Sequence, residues 1–433
     1  MKTANEIASE VRAGAASPET YVKEALARID AVDARIQAWV EVDRGAKAAS
    51  SGPLAGVPVG IKDIIDVCGL PTRYGSAPFT HQTPSVDAGC VARLRAAGAA
   101  VLGKTHTTHF AYLDPAPTHN PWDLSRTPGG SSSGSAAAVA SGMVPLALGT
   151  QTVGSVLRPA AYCGVVGLKP TFGRITTTGV VNLAHSFDHV GVICRSVADA
   201  ALGLSVLAGY DPADPYSVEE PVDGYVAAVH AELTRAPRLG LLRTYYAADC
   251  GDEVAKHLEE MALLFKAAGA DVDEVDVGFS AAELSAASLP IMRTEAALAH
   301  KYRFPGHEND FGPNLRALIE GGHATPAANY QASLRYIAQA RETLADSLRD
   351  DFDAFLLPTA PATAPDIATT GNGIFCGLAS FTSLPSISLP SGIGAGGLPL
   401  AVQLIGPAWQ EASLLAIARW VEKLLAFEAT PAL

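Results

Sequence analysis

The sequence predicts an α/β fold built in layers. Short apolar runs that are typical of buried strands alternate along the chain with segments of helical periodicity. The chain has 433 residues, of which 48% are hydrophobic, and chains of about 300 residues already bury roughly 75% of their unfolded surface. This length allows two or three domains, but no low-complexity segment marks a linker between them.

The first 50 residues are predicted to form a helical N-terminal layer. Thr3 and Glu6 have the spacing of a capping box at the start of a helix over 3–13. A second helix begins with Ser17 as its N-cap and Pro18 in its first turn, and both residue types are favourable there. Its apolar residues recur at helical spacing, namely Val22, Ala25, Ile29 and Val32.

Strands and helices alternate through the rest of the chain. A strand is predicted over 57–61, a helix over 87–97 and a further strand over 100–103. Four more buried strands are predicted, the last two as a pair, over 238–243, 354–357, 385–390 and 400–405. The segment from about 280 to 350 is helical and more polar, and it could cover a pocket.

The residues from 127 to 157 contain no Asp, Glu, Lys, Arg or His, although Arg126 and Arg158 flank them. Four serines cluster near one end, at 131, 132, 133 and 135, and Ser155 stands in a glycine-rich turn near the other. The order turn, helix (134–140), strand (143–148) and turn can bring the two serine sites together. A buried seam of small residues would show the same spacing, so the pattern alone leaves a catalytic and a structural interpretation open.

This uncharged stretch argues against three familiar motifs. Pro145 and six glycines make it a poor transmembrane helix. GSSSG at 130–134 fits the nucleophile-elbow pattern, but turn residues precede it where that motif requires a strand. A Walker-type phosphate loop would need a Gly-Lys-Ser/Thr that is absent here.

Composition narrows the class of protein further. The formal net charge of −13 argues against nucleic-acid binding, which needs a basic face. The six cysteines are scattered without a C-x-x-C pair, and His106 and His109 have no acidic partner nearby in the sequence, so we predict no metal site. No signal peptide is recognised, and we expect a cytoplasmic protein with reduced thiols.

Motifs along nearly the whole chain resemble those of the amidase signature enzymes. The family's signature region is similar to 129–171 here, GGSSSGSAAAVASGMVPLALGTQTVGSVLRPAAYCGVVGLKPT, and its lysine segment is similar to 52–67, GPLAGVPVGIKDIIDV. Further matching segments lie at 101–105, 195–200, 356–365, 384–392 and 397–406. The resemblance implies one domain, 1–433, with a central mixed, twisted β-sheet flanked by helices on both faces.

The resemblance also implies a catalytic unit of a lysine and two serines that lie 24 positions apart. Ser155 matches the acylated nucleophile, Ser131 matches the serine after a non-proline cis peptide bond, and Lys62 matches the lysine. The implied oxyanion hole uses the backbone N–H groups of Thr152, Val153, Gly154 and Ser155. Substrate binding is assigned to Arg158, Ser132 and Gly130, whereas a structural role is assigned to Lys104 and Lys169.

Two positions depart from the common family pattern. Most members have an arginine two residues after the nucleophile, but here Arg158 lies three residues after it, as in the family's malonamidases, where it holds a substrate carboxylate. Pairing with a buried acid is the structural alternative for Arg158. Many members also have Gly-Gly before the nucleophile, whereas this chain has Val153-Gly154, and a side chain at 153 restricts the backbone.

These matches predict an amidohydrolase that cleaves a small carboxylate-bearing amide, similar to malonamate, through a Ser155 acyl-enzyme. The alternatives are a hydrolase of biuret or allophanate type and the A subunit of a tRNA-dependent amidotransferase. We expect a small-molecule amide as the substrate and neither a cofactor, a metal, nucleic acid nor a membrane as a partner. Family members often form dimers, so a homodimer is possible.

Amide hydrolysis explains why these residue types would be needed. An amide carbonyl is a poor electrophile, so the reaction requires an activated nucleophile and an oxyanion hole. Lys62 can accept a proton only when neutral, which requires its pKa to fall from about 10.4 toward ~7–8. Burial against an uncharged wall would lower that pKa, whereas a nearby carboxylate would raise it. Without the family match, a surface lysine beside Asp63 and Asp66 is the favoured interpretation of Lys62.

Overall fold

The computed structural model describes residues 2–76, 79 and 83–433, and within them eleven strands form one sheet. β2 is parallel to β3 and β4, β7 is parallel to β8 and β9, and the other neighbours are antiparallel. The predicted mixed sheet is therefore confirmed. The strands are β1 (Trp39–Val42), β2 (Pro58–Lys62), β3 (Ala100–Thr105), β4 (Leu146–Gln151), β5 (Val166–Lys169), β6 (His189–Cys194), β7 (Arg238–Leu241), β8 (Asp271–Glu274), β9 (Ala354–Pro358), β10 (Ser386–Ile393) and β11 (Pro399–Ile405).

The strands lie in the order β1-β3-β2-β4-β6-β5-β10-β11-β9-β7-β8. Near the middle, Gly60 of β2 is opposite Ala147 of β4, and Gln151 of β4 is opposite His189 of β6. Because β2 and β4 are parallel, their carboxyl ends reach the same edge of the sheet. The uncharged segment 127–157 includes β4 and continues past its carboxyl end at this edge.

The described residues also form fourteen α-helices. None of them is long and apolar enough to cross a lipid bilayer. They are α1 (Ala4–Arg12), α2 (Pro18–Ile36), α3 (Gly89–Ala96), α4 (Ser133–Ala140), α5 (Leu157–Cys163), α6 (Val197–Leu207), α7 (Tyr225–His230), α8 (Arg243–Tyr246), α9 (Asp252–Ala267), α10 (Ala281–Arg303), α11 (Pro313–His323), α12 (Ala327–Asp350), α13 (Gly377–Phe381) and α14 (Glu411–Leu425).

The sheet separates two apolar clusters, because alternate residues of a strand point to opposite faces. Val59 and Val101 pack into the larger cluster with residues of α1, α3, α6 and α14. Leu102 and Ala147 pack into the second cluster with residues of α2, α4 and α5. All four side chains are fully buried. Helices therefore cover both faces of the sheet, as the resemblance implied.

The two N-terminal helices differ in how they begin. At α1 the predicted capping box is confirmed, since the Glu6 amide donates to Thr3 Oγ1 at 3.2 Å and the Thr3 amide donates to the Glu6 carboxylate at 2.7 Å. At α2, Pro18 starts the helix as predicted, but Ser17 makes no capping bond. The Ser17 hydroxyl instead lies 3.3 Å from that of Thr20.

Two predicted boundaries are wrong for local reasons. The N-terminal layer is not helical to residue 50, because Gln37 takes a left-handed conformation (φ 55°) that ends α2 and leads into β1, which pairs with β3. The strand predicted over 143–148 begins only at Leu146. Pro145 has no N–H to donate to a central ladder, so the strand starts after it and continues to Gln151.

Candidate active site

Lys62 ends β2 and its side chain is fully buried. Its Nζ donates to Ser131 Oγ at 2.7 Å and to Thr150 Oγ1 at 2.8 Å, and lies 3.4 Å from the Thr150 carbonyl oxygen. Burial holds the pKa of Lys62 well below its usual range; Asp188 opposes this lowering and the positive charge of Arg158 adds to it. Two of the three predicted catalytic side chains are therefore in direct contact.

The geometry singles out Ser131 from the four clustered serines. A cis peptide bond joins Gly130 to Ser131, and the Ser131 hydroxyl accepts the hydrogen bond from Lys62 Nζ. Two neighbouring hydroxyls form hydrogen bonds to the backbone instead. Ser133 Oγ donates to the Gly129 carbonyl at 2.6 Å, and Ser135 Oγ donates to the Leu148 carbonyl at 2.8 Å. The spacing of these residues in the sequence could not make this distinction.

Ser155 lies in the turn that connects β4 to α5. After it, the amides of Val156 and Leu157 both donate to the side-chain oxygen of Gln151, at 2.9 and 3.0 Å. The four amides of 152–155 find no acceptor among the residues that the structure describes. The Ser155 carbonyl accepts from the Ser132 amide at 3.3 Å, which places the turn beside the cis-peptide segment. Free N–H groups in a turn before a nucleophile are the donors that an oxyanion requires.

Val153 is accommodated in this turn without a left-handed backbone, because its φ is not positive. Its carbonyl accepts from Ser380 Oγ at 2.8 Å, and its side chain lies on the wall of a cavity. Space is tight at the next position, where a Cβ on Gly154 would lie 3.0 Å from the Cβ of Cys376. The departure from Gly-Gly therefore leaves the turn and its amides in place.

Arg158 is the second residue of α5, and its buried side chain points to backbone carbonyls. Its Nε and Nη2 donate to the Gly130 carbonyl, and its Nη1 donates to the Gly371 carbonyl at 2.8 Å. Among the described residues no carboxylate forms an ion pair with it. The structural alternative, a buried acid as its partner, is therefore wrong, and two guanidinium N–H groups remain for another acceptor.

A cavity of about 550 Å³ opens beside Ser155 and Arg158. Arg158 is its only charged lining residue among those described, and most of the wall is apolar. Gly130 and Ser132, predicted to bind substrate, are not part of the lining; the Ser132 hydroxyl exchanges hydrogen bonds with the Thr150 backbone. Sequence reasoning named none of the wall residues from other segments, although Ser285 and Met292 belong to the 280–350 segment that was expected to cover a pocket. These wall residues are Ala111, Tyr112, Leu113, Leu183, Ser285, Met292, Pro365, Thr369, Gly371, Asn372, Gly373 and Ile374.

Asp188 corrects the expectation that no carboxylate approaches Lys62. It accepts a short hydrogen bond from Thr152 Oγ1 and two from the amides of Leu183 and Ala184, at 2.7 and 3.0 Å. Burial raises its pKa to about 7 despite these donors. The sequence showed no signal for this residue, since it lies outside the uncharged stretch and reaches the site only through the pairing of β6 with β4.

The two histidines considered as metal ligands, His106 and His109, belong to no cluster of metal-ligating side chains among the described residues. Among the described residues no group of His, Cys, Asp and Glu side chains has the arrangement of a metal centre. His109 Nε2 instead accepts from the Gly312 amide at 3.0 Å. The pKa of His106 is lowered to about 4 by burial.

Comparison with known proteins matches residues 19–415 to a family described as Amidase. The A subunit of glutamyl-tRNA(Gln) amidotransferase from Geobacter sp. (strain M21) is 34% identical over 471 aligned positions, covering 97% of this chain and 96% of that protein. The corresponding A subunit from Roseiflexus castenholzii is 36% identical over 440 positions, covering 90% and 89%.

Solved structures share the whole fold. One belongs to work on an unexpected vestigial protein complex that reveals the evolutionary origins of an s-triazine catabolic enzyme, with a TM-score of 0.91, 30% identity and all of both chains covered. Another is the native peptide amidase of Stenotrophomonas maltophilia, with a TM-score of 0.86 and 29% identity over 100% of this chain and 98% of that one.

Proposed function

This chain belongs to the amidase family, whose members hydrolyse amide C–N bonds, and we propose that it cleaves a small amide bearing a carboxylate, similar to malonamate. The observation that carries the proposal is Arg158, a buried cation on the cavity wall for which the described residues provide no carboxylate. A substrate carboxylate would supply the missing partner, and planar guanidinium groups suit that geometry.

In the proposed reaction, neutral Lys62 takes a proton from Ser131, and Ser131 takes one from Ser155. The freed Ser155 oxygen attacks the amide carbon. The 2.7 Å contact between Lys62 and Ser131 supports the first transfer, and a hydroxyl can relay a proton because it both donates and accepts. The lowered pKa of Lys62 supports its role as the base.

The tetrahedral intermediate would place its oxyanion against the free amides of 152–155. Collapse breaks the C–N bond, and the proton held by Lys62 passes through Ser131 to the leaving nitrogen. This leaves an acyl group on Ser155. Water then attacks that ester with the same groups acting in reverse order, which releases the acid and restores the Ser155 hydroxyl.

The A subunit of a tRNA-dependent amidotransferase is the second candidate, favoured by the 34% identity over 97% of this chain. Similarity supports this alternative better than it supports malonamate. Glutamine as the amide donor would also bear a carboxylate, but it carries an ammonium group in addition. The cavity lining offers one cation and no Asp or Glu among the described residues, so its charge suits an anionic amide better than a zwitterion.

A hydrolase of biuret or allophanate type is the third candidate, favoured by the likeness to the structure from the s-triazine study. Allophanate carries a carboxylate and would satisfy Arg158 as malonamate would. Biuret is neutral and would leave the guanidinium without a charged partner. The Arg158 argument therefore favours allophanate over biuret within this class.

A turnover screen on the purified chain alone tests the proposal. The panel holds malonamate, allophanate, biuret, glutamine, and aliphatic and aryl amides, each with wild type and Ser155→Ala. We expect malonamate or another anionic amide to give the highest kcat/KM and Ser155→Ala to remove turnover while leaving the thermal unfolding profile unchanged. Residual turnover in Ser155→Ala would contradict the nucleophile assignment. Glutaminase activity that appears only with partner subunits would favour the amidotransferase.

A further inference from the structure

Asp188 connects two walls of the cavity through its carboxylate. One oxygen accepts from the hydroxyl of Thr152, in the turn before the nucleophile, and the other accepts from the amides of Leu183 and Ala184. Thr152 and Leu183 both line the cavity. No step of the mechanism above uses this acid.

We propose that Asp188 is a positioning residue for the proposed reaction: it fixes the Thr152 end of the oxyanion turn against the loop at 183–184 and places its carboxylate where its charge acts on Lys62. The inference rests on the proposed function, because it concerns the same nucleophile and base.

The end of β4 explains how one carboxylate reaches both parts of the site. Thr150 lies in β4, and Thr152 is two residues further on, in the turn that follows Gln151. Thr150 Oγ1 accepts from Lys62 Nζ at 2.8 Å, and Thr152 Oγ1 donates to Asp188. The lysine and the carboxylate are therefore bound to neighbouring hydroxyls of the same segment.

Other charged and titratable groups around Asp188 set the sign of its effect. Glu295 of α10 is a like charge that favours the protonated form of Asp188. Glu295 itself accepts from Ser186 Oγ at 2.6 Å, from Tyr330 at 3.1 Å, and lies 3.4 Å from His185 Nε2. On the opposite side, Lys62 gains stability as a cation from an ionised Asp188, whereas Arg158 acts against that cation.

An ionised Asp188 therefore delays the loss of the proton from Lys62 as the pH rises. Removing the charge should let Lys62 become neutral at a lower pH, which moves the acid limb of the activity profile downward. Asp188→Asn is suited to this test because its amide oxygen can accept from the 183 and 184 amides, while its NH₂ can donate to the Thr152 hydroxyl. The charge is lost and the three contacts can be kept, with the bond to Thr152 reversed in direction.

The experiment measures how fast a fluorophosphonate probe labels Ser155 between pH 5 and 10, with the labelled residue identified by mass spectrometry. This readout reports the Ser155–Ser131–Lys62 relay without requiring the natural substrate. We expect Asp188→Asn to move the acid limb down by on the order of 1 pH unit. Asp199→Asn removes another buried carboxylate, bonded to Asn5 far from Lys62 in the chain, and should leave the limb in place.

A second pair of variants tests the anchoring contact even if Asp188→Asn does not fold. Thr152→Val removes the hydroxyl that binds Asp188, and Thr152→Ser keeps it. We expect the plateau labelling rate of Thr152→Val to fall on the order of tenfold relative to Thr152→Ser, since small displacements of catalytic groups are costly.

The outcomes are distinguishable. If the acid limb of the labelling profile does not move in Asp188→Asn, or moves equally in Asp199→Asn, the effect of the Asp188 charge on Lys62 is overturned. If the plateau labelling rates of Thr152→Val and Thr152→Ser are equal, the role of the Thr152–Asp188 contact is overturned. Labelling of wild type at a residue other than Ser155 overturns the proposed function itself, and this inference with it.

Discussion

Two buried lysines on adjacent parallel strands have different partners. Lys62 ends β2 and contacts the hydroxyls of Ser131 and Thr150. Lys104 of β3, opposite Ile61 in the ladder, lies 3.1 Å from the Asp63 carboxylate. Both side chains are 0% exposed, and burial lowers both pKa values. At Lys104 the Asp63 carboxylate opposes that lowering through direct contact, whereas at Lys62 Asp188 opposes it through its charge alone. Equal burial thus gives a structural ion pair at one site and a lysine suited to lose its proton at the other.

A third buried lysine, Lys169, contacts backbone carbonyls rather than hydroxyls or a carboxylate. Lys169 ends β5 and donates to the carbonyls of Pro170 at 2.9 Å and Leu384 at 2.6 Å, which connects β5 to the segment before β10. Burial lowers its pKa to about 7. It is not part of the cavity lining, so its contacts agree with the structural role that the sequence suggested for it. A lowered pKa alone therefore does not identify a catalytic lysine.

The largest effect on activity is expected when Lys62, the lysine without an ion-paired carboxylate, is replaced. Lys62→Met should reduce kcat/KM by about 10²–10⁴-fold, the range for loss of a general base. Steady-state kinetics on the best substrate of the screen would measure it. Lys104→Met is the matched control, and a similar kcat loss in its folded fraction would contradict the division of roles.

The reverse pattern is expected for stability. Lys104→Met leaves the Asp63 carboxylate buried without its cation, which should lower the free energy of unfolding by roughly 3–5 kcal/mol. Urea denaturation followed by circular dichroism would measure this. Lys104→Met together with Asp63→Asn should recover part of the loss; no recovery would mean that the ion pair is not its cause.

A buried arginine extends the comparison to substrate choice. Arg158 shares with Lys62 the absence of an ion-paired carboxylate among the described residues. Arg158→Gln should lower the ratio of kcat/KM for malonamate to that for a neutral amide of equal size by about 10–100-fold, the value of a charge-assisted contact.

Both substrates should lose some activity, since the bonds to the Gly130 and Gly371 carbonyls also change. The ratio is therefore the decisive quantity. Arg158→Lys keeps the charge and should retain more of the preference than Arg158→Gln does. An unchanged ratio in Arg158→Gln would remove the carboxylate assignment.

The smallest effect concerns the pH dependence of stability at Lys62. A lysine whose pKa is depressed by folding binds its proton more tightly in the unfolded chain. Its contribution to the free energy of unfolding is therefore fully present above the unfolded pKa of about 10.4 and is lost as the pH falls through the folded pKa. Wild type should therefore gain stability between neutral pH and pH 10. In Lys62→Met this gain should be smaller, as urea denaturation at pH 7 and 9.5 would measure; an equal gain would mean that Lys62 is not depressed.

The α1 capping box and the β10–β11 pair could be predicted because they depend on local patterns of apolar and turn residues, whereas the mixed sheet was implied by the family resemblance. The strand start at 146 and the edge strand β1 were missed, although Pro145 and the alternating residues of 39–42 are local signals for both. The wall residues Ser285, Met292 and Ile374 come from distant segments. No pattern in a single sequence specifies which distant side chains meet.

By itself, the sequence determined the layered α/β fold, the uncharged stretch, and, through its motifs, the residues Lys62, Ser131 and Ser155 as candidates. Only the tertiary structure showed that Ser131 contacts Lys62, that Arg158 lacks a carboxylate among the described residues, and that the charge of Asp188 acts on the site. The reason is physical. Strand and helix patterns follow from the chemistry of neighbouring residues, whereas the charge state of a buried group depends on partners brought together by strand pairing.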